Sequence, residues 1–403
     1  MRVLIFTASA GNGHNSTANR IKEKFLEKDK NTEIKIVDMY KTYTSKFKAW
    51  IMEGGYFLVC RYAIGLYNHF FKKSEKCTYE KRNSAKVNKT VEELQYGMLN
   101  TIYEYKPDIV ISTYIFGAVA LRNIKRVYKI PAKVVCMTLD YGVSPYWECS
   151  AEGLDKMFIT SDYMYDQFIK KGFTPEQLCI SGIPVASKFS NPFNKDEARK
   201  LLGLKDMFTL VVMKASFFPI KERKLIKQLS LVNEPIQIVI INGKDKKSQN
   251  KIDKYIKKYK PNHNIINIGY TNQVVEYFSS ADLVLGKAGG LTTTECINVG
   301  LPSLILGKLP QQEIYNKEFL VKNNCALSVK NNTIAKEINN ILSNRSILEQ
   351  LKDSCIKLRK PNSLDIFYEE VSKFKPANYD NVELNDTKKQ LNKKIRKARK
   401  MSI

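Results

Sequence analysis

The stretch Met1-Arg2-Val3-Leu4-Ile5-Phe6-Thr7-Ala8-Ser9-Ala10-Gly11-Asn12-Gly13-His14 decides the fold. Its apolar run is continuous rather than alternating, as in a parallel strand buried on both faces. The run ends in a glycine-rich loop, and a helix pattern follows over residues 16–28. A strand, a tight polar loop and a helix in that order open a doubly wound α/β unit, whose ligands bind beyond the carboxyl ends of the strands.

Further strands are expected at residues 34–37, at 109–112 after Lys106-Pro107-Asp108, and at 133–138. A second α/β unit begins near Asn191, with strands expected at 209–213, 236–242, 265–268, 283–285 and 303–306. The 403 residues exceed what one ordinary core holds. Two doubly wound domains in tandem, facing a cleft, are therefore expected. The halves show no sequence repeat. Residues 377–403 turn polar and then strongly basic, and read as a solvated helix or tail.

Hydrophobic residues form 43% of the chain, which fits a packed globular protein. No apolar run reaches the roughly 18 residues of a membrane-spanning helix. The apolar start is too short for a signal-peptide core, so a cytosolic location is expected. The eight cysteines are scattered without a Cys-x-x-Cys pair, and with three histidines they make no zinc pattern; buried thiols in a reducing compartment are expected. Lysine and arginine outnumber aspartate and glutamate by 66 to 40, a formal charge of +26. Such a surface attracts polyanions, whether an anionic membrane or nucleic acid, although a lysine-rich proteome would leave the same mark. Residues 40–76 interleave cations with aromatics, among them Trp50, Phe57, Tyr62 and Tyr67, and Gly54-Gly55 breaks the run. Two amphipathic helices joined by a turn would explain the pattern, either as an internal pair or as a surface that dips into a lipid interface.

Two loops carry candidate chemistry. The first, residues 8–18, is neither a dinucleotide fingerprint, lacking Gly-x-Gly-x-x-Gly, nor a phosphate loop, lacking Gly-Lys-Ser/Thr. His14 stands in it at a strand–helix junction. The second is Gly286-Lys287-Ala288-Gly289-Gly290-Leu291-Thr292-Thr293-Thr294-Glu295. Paired glycines ahead of a helix amino end suit a diphosphate, and Glu295, one turn in, suits ribose hydroxyls. Downstream, Gln312 and Glu313 follow another strand toward the same place. The simpler alternative is a tight turn whose Glu295 is a first-turn helix acid.

In this order and separation the motifs resemble the glycosyltransferase family of plant monogalactosyldiacylglycerol synthases and bacterial processive diacylglycerol glucosyltransferases. The chain is more distantly similar to the N-acetylglucosaminyltransferase of peptidoglycan synthesis. Residues 11–18 resemble the family's Gly-x-Gly-His-x-x-Ala-Ala opening, and residues 40–76 its membrane-docking and acceptor region. Leu139-Asp140-Tyr141 through Pro145-Tyr146-Trp147 resembles its Thr-Asp-Phe…His-Pro-x-Trp motif. Lys171-Gly172-Phe173 and Ser181-Gly182-Ile183-Pro184-Val185 resemble the end of its first domain, and the second loop with Gln312, Glu313 and Asn316 its donor site.

The resemblance implies a GT-B fold: an acceptor domain over 1–187, a nucleotide-sugar domain over 188–362, a helix returning to the first domain over 363–376, and the basic tail. It implies transfer of glucose or galactose from a UDP-sugar to diacylglycerol with inversion, at an anionic membrane on the inner face of the cell, without cofactor, metal or nucleic acid. His14 would be the base and Asp140 a second polar group at the acceptor. Lys214, Lys287, Gly289, Gly290, Leu291, Thr292, Glu295, Gln312 and Glu313 would bind the donor, and Trp50, Phe57, Tyr62 and Tyr67 would meet lipid. The chain departs from the family where Ser144 replaces a frequent histidine, Tyr114 stands in a usual Thr-His-Pro run, and Ala288 replaces a proline. Met213-Lys214-Ala215-Ser216-Phe217-Phe218 stands where a glycine-rich loop meets the donor. A degenerate relative that binds lipid or nucleotide without transfer, and a basic nucleic-acid-binding protein, remain alternatives.

Overall fold

Strands β1 (Arg2–Thr7), β2 (Glu33–Asp38), β3 (Ile109–Ser112), β4 (Lys133–Met137), β5 (Lys156–Ile159) and β6 (Leu178–Ile180) form a parallel sheet in the order β2-β1-β3-β4-β5-β6. Strands β7 (Thr209–Met213), β8 (Gln237–Ile241), β9 (Asn264–Ile268), β10 (Leu283–Gly286), β11 (Ser303–Leu306) and β12 (Ala326–Val329) form a second, also parallel, in the order β12-β11-β10-β7-β8-β9. The computed structural model describes residues 1–9, 12–76, 85–128, 130–149, 151–214, 218–380 and 387–400.

Side chains alternate across each sheet with period two, and both faces are buried. In the first unit Val3, Ile5, Ile109, Ile111, Val135, Met137 and Phe158 join one core, while Leu4, Phe6, Val110, Val134, Cys136, Met157 and Ile159 join the opposite one. The second unit splits Leu210, Val212, Ile238, Ile240, Leu283 and Leu285 from Val211, Val239, Ile241 and Val284 in the same way. This double burial is why the strands read as unbroken apolar runs.

The first unit comprises Met1–Tyr56, Asn68–Pro184 and Asn362–Ile403; the second comprises Phe57–Tyr67 and Val185–Pro361. Helix Ser363–Ser372 covers one face of the first sheet. Its Phe367 and Val371 are buried with Ile21 and Phe25 of helix Asn12–Lys28, and Lys24 pairs with Asp365 at 2.8 Å. Helix Lys388–Lys400 corrects the solvated-tail expectation. Leu391 and Ile395, four residues apart and hence on one helix face, are 0% and 1% exposed in the opposite core. Arg396 binds Glu92 through two hydrogen bonds of 3.0 and 2.8 Å, and Gln95 donates to Asn392 at 2.8 Å. The helix is an amphipathic cover whose other faces are basic.

Residues 40–76 fold not as two helices joined by a turn but as five pieces: Met39–Tyr43, Lys46–Trp50, a π-turn over Ile51–Gly55, Tyr56–Tyr62 and Ile64–Glu75. The Gly54-Gly55 break falls inside the π-turn. Among the described residues, no helix is long and apolar enough to cross a membrane, and six cysteines are free thiols. Cys77 and the side chain of Cys149 lie outside the described residues.

Truncating Leu391 to alanine is expected to lower stability toward urea by about 2–5 kcal/mol, as for other buried leucines. The exposed Lys389→Gln is expected to stay within about 0.5 kcal/mol of wild type. Equal effects of the two substitutions would mean that this helix does not close the core.

Candidate functional site

In a doubly wound sheet the loops diverge where the strand order reverses, and the gap that opens there admits ligands. In the first unit the reversal lies between β1 and β3. His14 sits beside it. The helix begins at Asn12, earlier than the expected residue 16, so Gly13 and His14 lie in its first turn, where backbone N–H groups lack intrahelical acceptors.

His14 is fixed from β3. Its Nδ1 lies 2.6 Å from the carbonyl oxygen of Thr113. A carbonyl only accepts, so Nδ1 carries the proton and the neutral ring keeps a bare Nε2. The ring also meets Tyr114 edge-on, with centroids 5.0 Å apart. Burial pushes the imidazole down from 6.5 to about 4, against the opposing pull of the Thr113 hydrogen bond. His14 is therefore neutral at physiological pH.

A polar chain that sequence reasoning missed fastens this loop. The Thr113 hydroxyl donates to Thr7 Oγ1 at 3.1 Å, Thr7 to Asn15 Oδ1 at 2.9 Å, and Asn15 Nδ2 to Ser9 Oγ at 3.0 Å. Ser9 in turn donates to Asp38, whose other carboxylate oxygen caps helix Met39–Tyr43 through the N–H groups of Tyr40 and Lys41. Asp140 follows β4, two strands from β1, and is half-buried; its carbonyl accepts from Thr160 at 3.1 Å. Gly11 lies outside the described residues.

In the second unit the reversal lies between β7 and β10. The loop after β10 leads into helix Gly290–Val299, with Gly289 at its amino cap and no side chain capping it. Its first N–H groups are thus available to an anion. A Cβ on Gly289 would stand 3.8 Å from both Glu313 Oε1 and Lys287 Nζ, so this position lies directly beside their ion pair. Lys287 holds Oε1 of Glu313, whose Oε2 is buried without a partner, and Asn316 secures the loop by donating to the Ala288 carbonyl at 2.9 Å. Thr292 and Leu291 are half-buried in the first turn and Glu295 is buried one turn further on. Gly286, Lys287, Thr292 and Thr293 line a narrow crevice with Met213 and Ser303. Tyr67 donates to Gln312 Oε1 at 2.9 Å, which ties Phe57–Tyr67 to this unit.

Lys214 is placed differently from the expectation that it supplies charge to a diphosphate. It is buried, its ammonium donates to Ser248 and lies 3.2 Å from Glu222, and its charge is engaged inside the unit. Burial raises the Glu222 carboxyl, but the Ser248 hydrogen bond, its own backbone N–H and Lys214 together hold it at about 2. Ala215, Ser216 and Phe217 lie outside the described residues.

Of the residues expected to meet lipid, Trp50 and Tyr62 are exposed, whereas Tyr67 is half-buried with its hydroxyl turned to Gln312. Trp50 is 60% exposed and stacked on Phe47, and Tyr62 is 75% exposed. Leu66 and Phe70 share one exposed face of helix Ile64–Glu75. These exposures remove the internal-pair alternative for those residues. The side chain of Phe57 lies outside the described residues.

Residues 14–185 match the monogalactosyldiacylglycerol (MGDG) synthase family, and residues 217–363 match the C-terminal domain of glycosyltransferase family 28. Together the two matches make the chain a glycosyltransferase of the family 28, GT-B type. It is 24% identical over 377 residues to a processive diacylglycerol beta-glucosyltransferase of Bacillus licheniformis, covering 92% of this chain and 94% of that protein. It is 25% identical to one of Staphylococcus aureus strain JH9, over 78% of each chain. Acinetobacter baumannii MurG superposes with a TM-score of 0.59 at 14% identity, over 92% of this chain and 99% of MurG. Anabaena HepE in complex with UDP does so with 0.55 at 12%, over 92% and 100%. The transferase thus has the GT-B fold expected from its motifs.

A direct check on His14 is its NMR titration. The expected midpoint is about 4 rather than the ordinary 6.5. Because the folded value is depressed, the neutral ring's contribution to stability is whole above about 6.5 and is lost as pH falls from there toward 4. A midpoint near 6.5 would contradict the half-buried, Thr113-bonded ring.

Proposed function

We propose that this transferase moves glucose or galactose from a UDP-sugar to the hydroxyl of diacylglycerol with inversion, while bound peripherally to an anionic membrane. The observation that carries the reading is the neutral His14, with Nδ1–H engaged by Thr113 and Nε2 bare. Nε2 takes the acceptor hydroxyl's proton as that oxygen attacks the anomeric carbon; the bond from that carbon to the UDP oxygen breaks on the opposite side. A base this weak in the empty protein strengthens when an anionic donor binds, since nearby negative charge favours the protonated ring. Asp140 is the second polar group on the acceptor side.

The leaving diphosphate is stabilised by N–H groups at Gly289, Gly290, Leu291 and Thr292 and by Lys287. Glu295 takes the ribose. Gln312 and Glu313, with its unpartnered Oε2, take sugar hydroxyls. The diacylglycerol acceptor is supported by the names of the two bacterial relatives over most of the chain. UDP is supported by the HepE complex. The exposed Trp50, Tyr62, Leu66 and Phe70 support docking at the lipid, where aromatic and aliphatic side chains enter the interface.

Product analysis with diacylglycerol and a panel of UDP-sugars tests the reaction; release of UDP without glycolipid would refute it. His14→Ala is expected to lower kcat by about 10²–10⁴-fold with UDP binding preserved. The acid limb of wild-type kcat/KM, which reports the free protein, is expected near pH 4, from the ring's value of about 4. Near-normal turnover by the variant would return His14 to a structural role.

Glu295→Ala is expected to cost UDP about 1.5–3 kcal/mol of binding by calorimetry, and unchanged affinity would move the ribose elsewhere. Replacing Trp50 and Tyr62 with serine should release the protein from phosphatidylglycerol vesicles. Retention equal to wild type would mean these side chains do not insert.

A further inference from the structure

The formal charge of +26 is not spread evenly. Between Lys221 and Lys260, twelve lysines and arginines accompany four acidic residues. This segment folds as helix Glu222–Leu229, strand β8 and helix Lys246–Tyr259, and the two helices pack side by side on the second unit. Leu225, Ile226 and Ile252 are their buried anchors, which leaves the basic side chains outward.

On helix Lys246–Tyr259, Lys247, Lys251, Lys254 and Lys258 recur at intervals of four, three and four, a single stripe along the helix, and all four are exposed. The neighbouring helix adds Arg223 and Lys227, also exposed and four residues apart. Arg223 Nε donates to the Tyr259 hydroxyl at 3.1 Å, which joins the two sets.

The acidic residues do not balance this face. Glu222 points inward to Lys214 and Ser248. Asp245 caps helix Lys246–Tyr259 by accepting from the Ser248 N–H, and Asp253 accepts from Asn267 at 2.7 Å. Glu234 lies beyond both helices and faces Arg345 at 3.8 Å. Like charges held this close repel one another, a standing cost that an external polyanion relieves.

We infer that this paired-helix face of the donor-binding unit is an electrostatic docking surface for the anionic headgroup layer of a membrane. The inference rests on the proposed membrane-active function but concerns a surface separate in sequence from the aromatic segment. Its side-chain chemistry selects the occupant. Every cation of the stripe is lysine, a mobile point charge suited to fluid headgroups, whereas fixed nucleic-acid phosphates favour the forked guanidinium. Tyr255 and Tyr259 are half-buried and stacked on each other, so no open aromatic platform offers itself to bases. The stripe carries no exposed large apolar side chain. Contact is therefore by charge at the headgroup level, without insertion.

The test substitutes Lys247, Lys251, Lys254 and Lys258 together with glutamine in the full chain. Binding is measured to vesicles of phosphatidylcholine with about one-third phosphatidylglycerol, and turnover on diacylglycerol dispersed in neutral detergent. Neutralising four lysines is expected to weaken vesicle partitioning by on the order of 100-fold, at roughly fivefold per charge before screening. An unchanged far-ultraviolet spectrum and thermal midpoint would show that the fold is kept, and detergent turnover should match wild type. Vesicle affinity within a factor of three of wild type would overturn the inference. So would loss of oligonucleotide binding with vesicle binding intact, which would give the face to nucleic acid. Absence of turnover in wild type as well would instead strike the proposed function and leave the vesicle result to judge this face alone.

Discussion

A parallel sheet cannot be closed by hairpins. Each strand must be followed by a crossover that returns along a face of the sheet, so both faces become buried and all strand ends of one kind gather on one edge. Both units obey this constraint with six strands, and the candidate chemistry follows from it. His14 and Lys287 are not neighbours of anything in sequence that explains them. Each is placed by lying just past the carboxyl end of a strand beside the point where strand order reverses. Both loops lead into the start of a helix, yet they are equipped differently. One presents a neutral imidazole held by a neighbouring strand, the other an ion pair beside open backbone.

Burial pushes both cations toward the neutral form, and the two places differ in what opposes it. His14 is kept uncharged because its surroundings do not solvate an imidazolium. At Lys214 burial also lowers the ammonium, but Glu222 opposes it as an ion-pair and hydrogen-bond partner, and Ser248 accepts from the same nitrogen. The first leaves a lone pair for work. The second uses the charge to join the end of β7 to the amino ends of two helices, a structural use of a residue whose position in the motif suggested a ligand contact.

Much of the architecture was legible because doubly buried strands are nearly pure in apolar residues. Residues 109–112, 209–213 and 303–306 read as strands and are strands over those very residues. Strands β5, β6 and β12 escaped notice. They have only four, three and four residues, and β6 and β12 are sheet edges with partly exposed positions that blur the pattern. His14 was legible from its glycine-rich setting. Its supporting chain was not: the Ser9–Asp38 and Thr7–Thr113 bonds link residues 29 and 106 positions apart, and nothing local announces them. The docked helix Lys388–Lys400 was hidden for another reason. Its two apolar residues carry the whole burial signal, and the surrounding lysines and arginines masked it.

The two faces of the first sheet are closed by helices Ser363–Ser372 and Lys388–Lys400, while the strands they cover end at Ile180. At the usual ribosomal pace of about 5–20 residues per second, the last of those strands waits roughly 10–40 s for its outer cover. The second unit, contained mostly in Val185–Pro361, is synthesised whole in that interval. Nascent chains therefore carry a finished second unit and a first unit with apolar surface still open on both sides. During biosynthesis this protein therefore matures out of order along its own length: its earliest strands complete their cores only with its last helices.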